Sequence, residues 1–177
     1  MENPVLTLEY ANEDDRAYGL AGMAISVAAL DAIDKIASVS LDADGPMVTF
    51  SHEYYFLGSP AISPKAAWNH TLSNFYLTSA MVVSNLMARS LVRLGHDIPR
   101  SVMDRVHDEI DAEGRDSCSL EPDEIDRIYR KTTTYMNRIF GNPRLHPAIE
   151  DFARTLSRRR EMSGIEIFDE LRALRIL

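Results

Sequence analysis

The chain has one cysteine, Cys118, in 177 residues, so no internal disulfide can form and nothing hints at an oxidising compartment. A reducing cytoplasm is the expected setting. The opening residues, MENPVLTLEY, lack the basic start and apolar core of a secretory signal, which leaves no expectation of export. Long apolar runs are scarce too. The most apolar stretch, residues 17–30, is bounded by Arg16 and Asp31 and falls short of the roughly 18–20 residues that a membrane-spanning helix needs. It reads as a buried helix, and no membrane partner is expected. There is no GxSxG elbow, no GxxxxGK[ST] loop and no GxGxxG fingerprint, which removes the common hydrolase and nucleotide-binding motifs. Internal repeats and low-complexity tracts are also absent.

An excess of positive charge is missing as well. The formal net charge of −8 argues against a general affinity for nucleic acid, because phosphate binding relies on concentrated Lys and Arg. The charge is nevertheless uneven: residues 1–125 carry eight Lys or Arg against twenty Asp or Glu, and residues 126–177 carry eleven against seven. The C-terminal part is locally basic.

What is present is the composition of an ordinary globular protein, 45% hydrophobic and 26% charged. The length suits one domain, residues 1–177, made of a strand–helix–hairpin part (1–58) and a helical part (63–177). Residues 5–10 alternate, with Leu6, Leu8 and Tyr10 on one side, and predict a short strand. Asn12 followed by Glu13, Asp14 and Asp15 opens a helix expected to reach about Ala37, its interior full of small residues that let another element approach closely. Residues 38–42 and 47–56 flank the turn formers Asp42, Ala43, Asp44, Gly45 and Pro46, a hairpin signal. Ser63-Pro64 and Gly95 bracket a long helix. Further helices are expected from Pro99 to Gly114, from Ser119 to Phe140 and from Pro147, with a capping box at Ser163 and Glu166 opening the last. The expected fold is α+β and predominantly helical: a small N-terminal antiparallel sheet of two or three strands packed with about six helices around the long central one.

That central helix has no Lys, Arg, Asp or Glu between Lys65 and Arg89. Trp68, Leu72, Phe75, Val83 and Leu86 fall on one side, and His70, Asn74, Thr78 and Asn85 form an uncharged polar stripe opposite. Solvated faces usually carry charge, so this stripe is expected to be shielded from water. A second copy of the chain, a protein partner, or a pocket lined by His70, Asn74 and Tyr76 would each do so. The expected role is a soluble, non-enzymatic binding or assembly protein, acting through a helix-lined surface as a homodimer or with a protein partner, without a cofactor.

Two other classes have a footing in the residues. The spacing of His70 and His96-Asp97, with the local string LVRLGHDIP, resembles the HD-type metal-dependent phosphohydrolases over about thirty residues. That resemblance implies metal ligation by His70, His96 and Asp97, with a further Asp from Asp123 or Asp126. The chain departs from the pattern in that Gly95 breaks the helix before His96 and Pro99-Arg100 replaces the usual Gly-Lys. Arg154, Arg158, Arg159 and Arg160 are candidates for holding an anionic partner or nucleic acid, although basic residues also favour a helix C-terminus without any ligand. The aromatics that would support single-strand binding are not interleaved with them. Asp104, His107, Asp108 and Asp111 read as a solvated acidic face, and Asp123/Arg127 and Asp126/Arg130 as exposed ion pairs four apart. Asp116, Glu121, Asp123 and Glu124 crowd Cys118 and oppose a thiolate there.

Overall fold

A computed structural model describes residues 5–56, 63–95 and 98–176. Helix α1 (Glu13–Ala29) begins where Asn12 accepts a hydrogen bond from the Asp15 amide, as its sequence predicts. It stops at Ala29 rather than near Ala37, because Asp31 takes a left-handed conformation (φ 52°) and the Ala32 amide turns back to the Val27 carbonyl at 2.9 Å. A single 3-10 turn, Ile33–Lys35, then leads into strand β1 (Ile36–Ser40), which pairs antiparallel with β2 (Val48–Phe50).

The hairpin is shorter than its alternation predicts. After Phe50 the Ser51 amide donates to the Lys35 carbonyl at 2.8 Å and the chain curls into a one-turn helix, α2 (His52–Tyr55), with the Phe50 and Tyr54 rings stacked 3.9 Å apart. His52, Tyr54 and Phe56 therefore do not continue the face of Val48 and Phe50. The third strand is also a correction. It is β3 (Glu161–Ser163), antiparallel to β1, so the sheet order is β2-β1-β3 and both edges of β1 are taken. Residues 5–10 form no strand; Leu6 is buried, but the carbonyls of Leu8 and Glu9 accept from a guanidinium instead of a strand partner.

Helix α3 (Pro64–Leu94) runs between the predicted stops, with Ser63 capping the Ala66 amide and Gly95 left-handed at φ 66°. At 1.5 Å per residue it is about 46 Å long, enough to touch most other elements. By length and composition alone it could cross a bilayer, but most of its apolar window is buried inside the fold. Its closest neighbour is α1. A Cβ on Gly22 would collide with the Ser84 carbonyl oxygen and lie 2.6 Å from the Ala88 Cβ, so the small-residue face of α1 lets the two backbones nearly touch.

Helix α4 (Arg100–Cys118) continues through Gly114 instead of ending there, because Gly114 is the point at which Ile125 and Phe75 press on it, 2.8–2.9 Å from where a Cβ would stand. Helix α5 (Pro122–Phe140) starts from a capping box formed by Glu121 and Glu124, not from Ser119. Helix α6 (Leu145–Arg159) begins before Pro147, and α7 (Gly164–Ala173) uses the Ser163–Glu166 box as the spacing predicts. The architecture is α+β and mainly helical, with α3 at its centre.

Candidate functional site: a cationic groove along α5

The polar groups of the uncharged α3 stripe find hydrogen-bond partners within the chain itself. The Tyr54 carbonyl, turned outward by α2, accepts from Asn74 Nδ2 at 2.8 Å and lies 2.9 Å from His70 Nε2. Lys35 Nζ donates to Asn74 Oδ1 at 2.9 Å, and Thr78 bonds back to the Asn74 and Phe75 carbonyls of its own helix. Farther along, Asn85 is buried and donates to the Tyr10 hydroxyl at 2.8 Å. His70, Asn74, Thr78 and Asn85 thus dock the hairpin and the N-terminal arm. His70, Asn74 and Thr78 remain partly exposed, whereas Asn85 is buried. Tyr76 points elsewhere, into the groove described below.

Beneath the same arm lies a feature that sequence reading passed over. Arg89 is wholly buried and grips Asp15 with two hydrogen bonds, Nε–Oδ1 2.9 Å and Nη2–Oδ2 2.7 Å; Arg93 adds a contact at 3.1 Å. The remaining Arg89 donors reach the Leu8 and Glu9 carbonyls, and the Tyr10 ring covers its guanidinium at 4.8 Å. Burial pushes the Asp15 carboxyl upward. The Arg89 hydrogen bonds, the Ala11 amide and the Arg93 charge outweigh that and hold it below the usual carboxylate range. This cluster ties α1, α3 and the arm together and is structural.

The four C-terminal arginines are placed beside acids of the same chain. Arg154 meets Asp151 at 2.7 Å, Arg159 meets Glu166 at 2.9 Å, and Arg160 bridges Glu13 (2.6 Å) and Asp42 (2.5 Å). Arg158 reaches only the Thr155 hydroxyl, at 3.4 Å. Three of the four are therefore already neutralised. Arg160 keeps the Glu13 and Asp42 carboxyls below their ordinary values, chiefly through its side-chain hydrogen bonds.

Cations without a carboxylate partner cluster along α5. Arg130, Lys131, Thr134 and Arg138 lie three, four, seven and eleven residues after Arg127, so the five form one exposed stripe. With Tyr76, Tyr135 and Leu30 they line an open groove of about 820 Å³. Asp126, four residues before Arg130, turns away to His107, 2.8 Å from Nε2, and leaves Arg130 only the Asp126 backbone carbonyl at 3.3 Å. Among the described residues, none of Arg127, Arg130, Lys131 and Arg138 has a carboxylate oxygen within 4.0 Å. The expected Asp123/Arg127 and Asp126/Arg130 pairs do not form.

The groove floor is fixed by its tyrosines. Tyr135 donates its hydroxyl to the Ala29 carbonyl at 3.0 Å, and Lys131 Nζ sits 4.7 Å from the centre of the Tyr76 ring. Burial pushes the Tyr76 phenol up, so it adds no negative charge to the site. An electropositive groove with two aromatic walls can hold an anion through charge-assisted hydrogen bonds, for which arginine's planar fork is well shaped. The five-residue spacing pattern was readable in the sequence, but the ion-pair rule assigned Arg127 and Arg130 to partners they do not have.

Of the residues that resemble an HD-type metal site, His96 and Asp97 lie outside the described residues, and His70 is engaged by Tyr54 and Asn74. Among the described residues no group of three or more His, Cys, Asp or Glu is arranged to hold a metal ion. On α4, Val102, Val106 and Ile110 are buried while Asp104 and Asp108 are exposed, and Asp111 pairs with Arg115 at 2.6 Å. Burial, then the charge of Glu113, raises the Cys118 thiol, which disfavours a nucleophilic thiolate. The chain matches no family model, no curated protein and no solved structure.

Proposed function

We propose that this is a binding protein that takes an anionic ligand into the groove along α5, with no catalytic step. The observation that carries the reading is the gathering of four unpaired cations in one groove. In a chain of net charge −8, Arg127, Arg130, Lys131 and Arg138 line one groove, and none of them has a carboxylate partner among the described residues. Charges of like sign held side by side without counter-ions repel one another, and a bound anion relieves that repulsion. The helix-lined surface is therefore α5, not the uncharged stripe of α3, whose polar groups already have partners within the chain.

Calorimetric titration with tripolyphosphate tests the reading. Arg130→Glu combined with Arg138→Glu should weaken binding about tenfold or more, since each charge-assisted hydrogen bond contributes about 1.5–3 kcal/mol. Both side chains are exposed, so the fold should be retained, as circular dichroism would check. Arg154→Glu combined with Arg159→Glu alters pairs outside the groove and should leave the affinity as it was. Equal weakening by the two double variants, or no binding by the native protein, would overturn the proposal.

A further inference from the structure

Resting on the anion-binding reading above, we propose that the natural ligand is an extended polyanion, a single-stranded nucleic acid laid along a track of arginines, and not a compact phosphate ester. The α5 groove does not end at Arg138. The same side chain also lines an adjoining groove of about 560 Å³, whose walls include Arg144, at the start of α6, and Arg175, just beyond α7. Arg144 and Arg175 are exposed and, like the α5 cations, have no carboxylate oxygen within 4.0 Å among the described residues. Arg138 is the hinge of one continuous basic track.

The arrangement of charge chooses between ligand shapes. A mononucleotide or a phosphorylated sugar concentrates its charge at one end, and its site needs cations converging on a point. Here Arg127 and Arg138 are eleven residues apart on one helix, about 16 Å along its axis. Arg144 and Arg175 carry the row further. A ligand whose charge repeats at each unit fits such a row. The α5 groove is open along its length, so a strand can lie in it without threading.

Aromatic walls supply the second half of the argument. Sequence-tolerant single-strand binding combines a cationic groove with rings on which bases stack. Tyr76 and Tyr135 line the α5 groove with the cations, each half-buried, Tyr76 with Lys131 Nζ 4.7 Å from its ring centre and Tyr135 held by its hydroxyl. The Arg154–Arg160 segment has no such rings.

The test is fluorescence anisotropy with the full chain and a labelled oligothymidylate of about a dozen nucleotides, a length within the usual range of single-strand sites. For single strands the logarithm of affinity falls with the logarithm of salt by about 0.7 per phosphate neutralised, so six engaged cations give a slope of about −4. Arg144→Ala combined with Arg175→Ala should flatten that slope by about 1.4 and weaken binding at low salt. An unchanged slope in that variant, or an oligonucleotide bound no more tightly than tripolyphosphate, would overturn the inference. Preference for a duplex or for anionic phospholipid vesicles over the oligothymidylate would overturn it too. Tripolyphosphate binding that depends on Arg130 and Arg138 while the oligonucleotide gains nothing would sink the extended track alone; if neither probe binds, the anion-binding reading falls with it.

Discussion

Replacing Asp15 by Asn should be among the most damaging isosteric changes available to this protein. Asp15 is 1% exposed and Arg89 wholly buried, and the carboxylate accepts two Arg89 hydrogen bonds, one from the Ala11 amide and a charge contact from Arg93. Asparagine fills the same volume, so no cavity forms. The change instead strands the charge of Arg89 inside the protein. Removing one member of a buried pair costs about 3–5 kcal/mol, because the surviving ion keeps its desolvation penalty without its partner. At about 2–4 °C per kcal/mol for a chain of this size, Tm should fall by on the order of 10 °C. Asp15→Leu combined with Arg89→Met removes both charges and should recover much of that loss. The acid limb gives a second readout. Because folding lowers the Asp15 pKa, its contribution is full above the unfolded carboxylate range and is lost as pH falls through the lower, folded value. The native protein should therefore lose stability on acidification in a step that Asp15→Asn lacks. A Tm drop of only about 2 °C or less in Asp15→Asn, by scanning calorimetry, would refute the claim that this pair is desolvated and mutually dependent.

Gly22→Ala should push α1 from α3 at the Ser84 carbonyl and destabilise by about 1–3 kcal/mol, a strain that an unaltered denaturant midpoint would show to be absent. Asn74→Ala leaves the Lys35 ammonium without its acceptor and removes one donor from the Tyr54 carbonyl. It should cost about 1–3 kcal/mol and speed amide exchange in β2 and α2 more than in α6; uniform exchange would argue that the α3 stripe does not hold the hairpin. Arg160→Gln should return the Glu13 and Asp42 carboxyls toward their ordinary values in a carboxyl NMR titration, and unshifted titrations would mean that the bridge does not persist in water.

Helices whose ends are set by local chemistry were readable in the chain. Ser63-Pro64, Gly95 and the Ser163–Glu166 box each satisfy or release backbone groups within a few residues, so they act alike in any tertiary setting. Ends fixed by distant contacts were not. Gly114 looks like a stop, yet it lies within α4 because Ile125 and Phe75 need its missing side chain. Residues 5–10 alternate like a strand, but β3, more than a hundred residues away, takes the edge of β1 and the arm's carbonyls go to Arg89. The same distinction governs the site. The uncharged stripe of His70, Asn74, Thr78 and Asn85 was visible in the chain, whereas the partners of His70 and Asn74 depend on where α2 turns the Tyr54 carbonyl, and only Asn85 is buried. Local basicity of the C-terminal part was visible as composition. Which arginines are spent could not be, since Arg160 finds Glu13 and Asp42 across more than a hundred residues of chain.

The most direct test of the α5 groove is a titration of the isotopically labelled native protein with tripolyphosphate, followed residue by residue in backbone and arginine side-chain NMR spectra. The account predicts shifts concentrated on Tyr76, Arg127, Arg130, Lys131, Thr134, Tyr135 and Arg138, with Arg154, Arg159 and Arg160 nearly still. Shifts centred on Arg154 to Arg160, or none anywhere, would contradict it.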